Sequence, residues 1–168
     1  MHDFRAMRRK RQQLSDEETL LLLRQATSGV LSLLDDDGYP YGVPLSYVYH
    51  DNKLYFHSAL SGHKIDAIRH CDKASFTVIC QDEVHPETFT THFRSVICFG
   101  RVHIINNEEE KLATIHLLGE RYCPDDEQAL EAEIQKSVNH MEMIAFEIEH
   151  VTGKECIELT RMRTSSEH

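Results

Sequence analysis

The sequence predicts a mainly β protein: a closed or partly closed antiparallel barrel carrying a few peripheral helices. Two observations carry that reading. About six or seven short stretches rich in β-branched and aromatic residues recur along the chain. The first of them are joined by tight turn chemistry, Asp35-Asp36-Asp37-Gly38 and His50-Asp51-Asn52-Lys53. Strands of such mixed length leave exposed edges unless the sheet closes, and closure makes a barrel. An OB-like barrel has the same signature at this level.

The first regular element opens at Ser15-Asp16-Glu17-Glu18, where Ser15 can cap free amides and Glu18 can reciprocate. A helix over about 16–26 follows, and Ser28-Gly29 is expected to end it. Val30 to Leu34, Tyr41 to Tyr49 and Leu54 to Ser58 then read as three strands of a meander. Ser61-Gly62-His63-Lys64 opens a short helix with Ile65 and Ile68 on one face, ending near His70. Ala74 to Cys80 reads as a strand, and Gln81 to Thr91, with Pro86, as loop or a partly paired excursion. Ser95 to Ile105 is long enough for a major strand with a bend or bulge at Gly100. Asn107 caps an acidic helix with Leu112, Ile115 and Leu118 on one stripe; after Pro124 another follows with Leu130, Ile134 and Val138. Met143 to Val151 alternates as a strand, Thr152 to Glu155 reads as a turn, and Cys156 to Thr160 as a last strand. The expected organisation is a basic arm over 1–14, one domain over 15–160 and a mobile polar tail over 161–168.

A chain of 168 residues, 40% of them apolar, can bury one core. No apolar run reaches the roughly 18 residues of a membrane span, and no apolar stretch follows the charged N-terminus as in a signal peptide, so a soluble, cytoplasmic protein is expected. The five cysteines are irregularly spaced, odd in number and without a CxxC pair, which fits a reducing compartment. Among twelve histidines, none forms an HxH, HExxH or HxxxH pair, so no metal site is expected from one element, and ligands converging from distant segments stay open. The net charge of −10 divides into +4 over Met1 to Arg11 and −14 over the rest, and an acidic body repels nucleic acid. The arm itself reads as solvated or packed at a subunit contact.

Several segments, in order, resemble the pyridoxamine 5′-phosphate oxidase-like flavoproteins, and within them the branch of Nim-type 5-nitroimidazole resistance proteins. They are Arg8 to Arg11, Gly38 to Tyr47, Leu54 to Ala59, Gly62-His63-Lys64, Phe93 to Val102 and Thr152 to Glu155, spanning roughly Arg8 to Leu159. The resemblance implies an FMN-binding split barrel that dimerises through a broad face, with FMN between the subunits. FMN needs cations and amides for its phosphate, backbone polar groups for the ring edge and flat apolar walls. Lys64, behind Ser61-Gly62 and joined by His63, suits the phosphate. Ser58 and Ala59 complete that cradle, and His57 approaches the ring or ribityl chain as the one candidate catalytic group. Val43, Pro44, Leu45 and Ser46 offer main-chain groups to the pyrimidine edge, on a strand whose pairing Pro44 already interrupts. Arg94 and Ser95 are implied to reach FMN from the partner subunit, and Lys154 to place positive charge near the ring.

The function implied is an FMN-dependent oxidoreductase that reduces a small-molecule electron acceptor, nitroimidazoles or other nitroaromatics among the candidates. Oxidation of pyridoxamine phosphate fits less well, because Arg161-Met162-Arg163 does not resemble the family's substrate-binding C-terminal segment. The competing class is a non-catalytic flavin- or haem-binding protein on the same barrel, with His57, His63 or His92 as an axial ligand.

Overall fold

A computed structural model describes residues 4–166, Ser166 by its backbone alone. Met1 to Asp3 of the predicted arm and Glu167-His168 of the predicted tail lie outside the described residues. Among the described residues, seven strands form one antiparallel sheet: β1 (Ser28–Leu34), β2 (Pro40–Ser46), β3 (Val48–His50), β4 (Lys53–Ala59), β5 (Lys73–His85), β6 (Thr90–Ile104) and β7 (Met141–Glu155). The helices are α1 (Asp16–Gln25), α2 (His63–His70), α3 (Glu108–Tyr122), α4 (Glu127–Ser137) and α5 (Ile157–Ser166).

The strand order is β2-β1-β5-β6-β7-β4-β3. The strands at its two ends, β2 and β3, are consecutive in the chain with only Tyr47 between them, so a single corner brings the ends of the sheet together. The stretch Tyr41 to Tyr49, predicted as one strand of a simple meander, is therefore two strands belonging to separate hairpins, β1–β2 and β3–β4. Tyr47 makes the corner because its ring is buried against Phe76, at 4.9 Å between centroids, while its hydroxyl donates to the Leu23 carbonyl. The Tyr122 hydroxyl holds the backbone there, accepting from Tyr47 N–H at 3.1 Å and lying 2.9 Å from its carbonyl.

Inside the barrel, Leu31, Leu33, Leu54, Phe56, Phe76, Val78, Val96, Cys98, Ile144 and Phe146 form the main core, and α1 and α2 contribute Leu23 and Ile65. A second core lies on the outer surface of β3, β4 and β7, where Val48, Tyr55, Met143 and Ala145 meet Ile115, Leu118 and Ile134 of α3 and α4. Leu112, predicted on that helical stripe, is instead exposed. The predicted caps hold: Ser15 and Glu18 form a reciprocal capping box, and Asn107 accepts from Glu110 N–H at 2.8 Å. The bulge at Gly100 also holds, since the β6–β7 register shifts between Phe99 and Gly100, and a Cβ there would stand 1.9 Å from the Glu147 carbonyl oxygen.

Other expectations are corrected. Helix α1 ends at Gln25, and Ser28-Gly29 opens β1, where a Cβ on Gly29 would meet the Phe76 ring at 2.6 Å. Of the two alternatives for Gln81 to Thr91, the paired excursion holds and the loop does not: β5 runs to His85, β6 starts at Thr90, and Pro86 falls in the connecting turn, where its missing N–H costs no ladder bond. Thr152 to Glu155 is not a turn but the end of β7, paired with Arg94 to Ile97. Gly153 is small because Thr19 and Leu14 pack onto it, with Leu14 N–H donating to its carbonyl at 3.0 Å. Cys156 to Thr160 is not a strand, and Arg161 to Ser166 is not a loose tail; Ile157–Ser166 is α5. Thr160 donates through both its N–H and its hydroxyl to the Cys156 carbonyl, a helical i,i+4 bond. The arm also packs down: Phe4 stacks on His150 at 4.8 Å, Leu14 is buried, and Gln13 bridges to Lys154.

Candidate functional site

The predicted site residues fall into two groups. The first gathers where β2, β4 and α2 meet. Among the described residues strand β2 pairs only with β1, so every second residue over Val43, Pro44, Leu45 and Ser46 turns its backbone groups to an edge without a partner strand, and Pro44 brings no N–H to the strand. His57 and Ala59 are exposed on β4, and Ser58 between them is buried, as strand alternation requires. Ser46 and His57 come together in an apolar cleft of about 360 Å³ under α3 and α4, walled by Leu118, Tyr122, Met141 and Met143. The sequence reading missed these four walls, which come from segments read only as helix stripe and strand.

Beyond Ala59 the chain turns at Gly62, whose φ of 130° suits glycine, into the N-terminus of α2. No side chain caps this end. Ile65 and Asp66 N–H groups bond the Gly62 carbonyl, while the His63 and Lys64 amides make no hydrogen bond among the described residues. Lys64 is half-buried, and burial pushes its ammonium below the ordinary lysine range. No carboxylate pairs with it among the described residues. His63 turns the other way: its ring hydrogen-bonds Asp35 and stacks on Tyr41 at 4.0 Å, so toward the helix end it presents only its N–H. That bond holds the Asp35 carboxyl below its usual range.

The second group lies at the far end of β7. Ser95 and Lys154 are cross-strand partners on β6 and β7, on the outer face, and the Lys154 ammonium sits 5.3 Å from the centre of the Phe93 ring. Arg94 points to the opposite face, where its Nε donates to Glu155 Oε2 at 3.3 Å. Glu155 is fully buried, and Arg163 of α5 donates to its other oxygen at 2.9 Å and to Glu18 at 3.2 Å. This chain of charges was not foreseen, because α5 was read as strand and tail. His57 stands opposite Met143, and Ser95 opposite Lys154, eleven residues further along β7. At ~3.3 Å per residue that is up to about 36 Å along the strand, so one chain does not bring the two groups to one small ligand.

A family profile described as pyridoxamine 5′-phosphate oxidase matches residues 15–155, most of the chain. The chain belongs to the pyridoxamine 5′-phosphate oxidase family. The barrel is the split barrel of that family, a flavin-binding fold. Among solved structures, a candidate 5-nitroimidazole antibiotic resistance protein from Bacteroides thetaiotaomicron is 22% identical, with 85% of this chain and 86% of that one covered and a TM-score of 0.71. A FAD-binding protein from Mesorhizobium loti is 27% identical over 86% of this chain and 96% of that one, with a TM-score of 0.63. A flavocytochrome from Azotobacter vinelandii is 20% identical over 90% of this chain and 72% of that one, with a TM-score of 0.76. No curated protein matches. No helix among the described residues is long and apolar enough to cross a membrane.

Proposed function

We propose that this protein binds FMN between two copies of the chain and passes electrons from the reduced flavin to a small acceptor. The observation that carries the reading is Lys64: a half-buried cation without an anionic partner among the described residues, beside the uncapped N-terminus of α2. A phosphate there would meet a charge, the His63 and Lys64 amides and the positive end of a helix. A mononucleotide phosphate suits this cradle, which is what favours FMN over FAD. The ring edge would lie along the free backbone of Val43 to Ser46, with His57 and the apolar cleft close by.

Ser95 and Lys154 would serve the cofactor of the other subunit, since a two-fold axis places each chain's second group against its partner's first; Arg94, turned to the opposite face and paired with the buried Glu155, would instead brace the strand that carries them. The outer face that carries Ser95 and Lys154 suits such a contact: Ile79, Ile97 and Phe99 are exposed on it, in register with Val30 and Thr152. The flavin supplies the redox chemistry; the chain's part is to hold it, to exclude water with the apolar walls, and to set positive charge at Lys154. The likeness to the Bacteroides protein makes nitroimidazoles and other nitroaromatics the first acceptors to try.

The test is an absorption spectrum of the purified protein, with the mass of the released cofactor and anaerobic reoxidation of the reduced protein by a nitroimidazole. FMN and nitro-dependent reoxidation are expected. Recovered FAD would move the phosphate assignment away from Lys64. A Soret band without flavin would favour the haem reading, for which His57 lines an apolar cleft and the Azotobacter flavocytochrome is an analogy.

A further inference from the structure

The hairpin of β5 and β6 carries a second set of donor side chains. The pairing of β5 with β1 ends at Thr77 and that of β6 with β7 starts only at Arg94, so over 81–93 the ladder partner of each strand is the other. Glu83 and His85 are two residues apart on β5 and so share a face, and His92 stands directly opposite Glu83 on β6. One ligand atom from each of Glu83, His85 and His92 lies within 4.8 Å of the others. The two imidazole rings have centroids 3.8 Å apart.

The state of His85 gives this cluster its meaning. Its Nδ1 faces Glu87 Oε1 at 3.1 Å, and a carboxylate there holds the proton on Nδ1 and leaves the lone pair on Nε2. That Nε2 is buried and makes no hydrogen bond; the Glu83 oxygen near it is 3.9 Å away, beyond hydrogen-bond reach. A buried polar atom without a partner calls for an explanation. An imidazole oriented from behind by a carboxylate, with a second imidazole and a second carboxylate in front, is the donor set of a transition-metal site.

We propose that Glu83, His85 and His92 bind a divalent transition-metal ion of the zinc class, with Glu87 orienting His85. Two neutral nitrogens and one carboxylate suit zinc better than calcium or magnesium, which take oxygen ligands. Bonds of about 2.0–2.2 Å put tetrahedral ligand atoms roughly 3.4 Å apart, so the cluster closes by about an ångström on binding. Three protein ligands leave a fourth position for water. The ion would pin the two strands of the ribbon to each other beyond the reach of the β1 and β7 ladders, and the site is independent of flavin.

The test is isothermal titration of Zn²⁺ into the full chain, purified with its own cofactor and stripped of metal by dialysis against chelator. One tight site per chain is expected, weakened at least tenfold in His85→Ala and in His92→Ala, weakened about tenfold in Glu87→Gln, and unchanged in His103→Ala, an exposed histidine further along β6. Wild-type protein provides a second reading that needs no variant: Zn²⁺ should protect His85 and His92, and not His103, from diethyl pyrocarbonate, read by peptide mass. Absence of binding, equal binding by the His92→Ala variant, or no selective protection would each overturn the proposal.

Discussion

At the scale of single residues, Lys64 and Cys98 show how burial changes a side chain's chemistry. Lys64 is kept partly out of water without a paired anion, so it is the residue a bound phosphate would relieve. Lys64→Ala is expected to lower FMN affinity about tenfold or more, near 1.4 kcal/mol, in a fluorescence titration; unchanged affinity would remove Lys64 from the site. Cys98 faces the main core, and burial pushes its thiol up from 9.0 to about 12. The unfolded chain therefore releases this proton first. The stability it contributes is intact below about pH 9 and is lost as pH rises from there toward about 12. Lys64 is shifted in the opposite direction, so the measurement is a comparison: between pH 8 and 10, roughly, the urea midpoint of wild type should fall more than that of Cys98→Val.

At the scale of elements, the C-terminal segment shows how a strand pattern can be overruled. Cys156-Ile157-Glu158-Leu159-Thr160 alternates like a strand, yet no strand edge is offered to it once β6 and β7 have paired to Glu155. A helix satisfies its backbone internally instead, and delivers Arg163 to the buried Glu155. Arg163→Ala leaves that carboxylate with Arg94 alone. Because Arg94 remains and Arg163 is partly exposed, the cost should be about 2 kcal/mol, below the full value for a broken buried pair. Chemical denaturation measures it, and a neutral effect would show that α5 contributes nothing through this contact. Thr152 to Glu155 carries the complementary lesson: Thr-Gly-Lys has turn chemistry, but Gly153 is there for the approach of Leu14 and Thr19.

At the scale of the whole molecule, the division of the proposed site between the two ends of β7 makes it depend on assembly. Ile97 stands mid-sheet on the outer face, opposite Thr77 on one side and Thr152 on the other. A charge placed there would be buried without a partner in the proposed dimer. Ile97→Glu is therefore expected to yield a folded monomer in analytical ultracentrifugation, and that monomer should bind FMN at least tenfold more weakly. A monomer that keeps full FMN affinity would confine the site to one chain and set aside Ser95 and Lys154.

How much was legible beforehand follows from the range of the interactions involved. The helix caps at Ser15 and Asn107, the tight turns, the bulge at Gly100 and the barrel class depend on neighbours in sequence or on alternation, and these could be read directly. Among the candidate residues, the Gly62-His63-Lys64 helix start was readable for the same reason. What the tertiary structure alone decided was long-range. The corner at Tyr47 depends on Leu23 and Tyr122, the cleft wall on Tyr122, Met141 and Met143, the Glu155 pairing on Arg94 and Arg163, and the histidine cluster on the register of a hairpin that the sequence leaves open between loop and paired excursion. A single sequence records which residues can make such contacts; which of them meet is set when the sheet closes and the register of its strands is chosen by burial of one face.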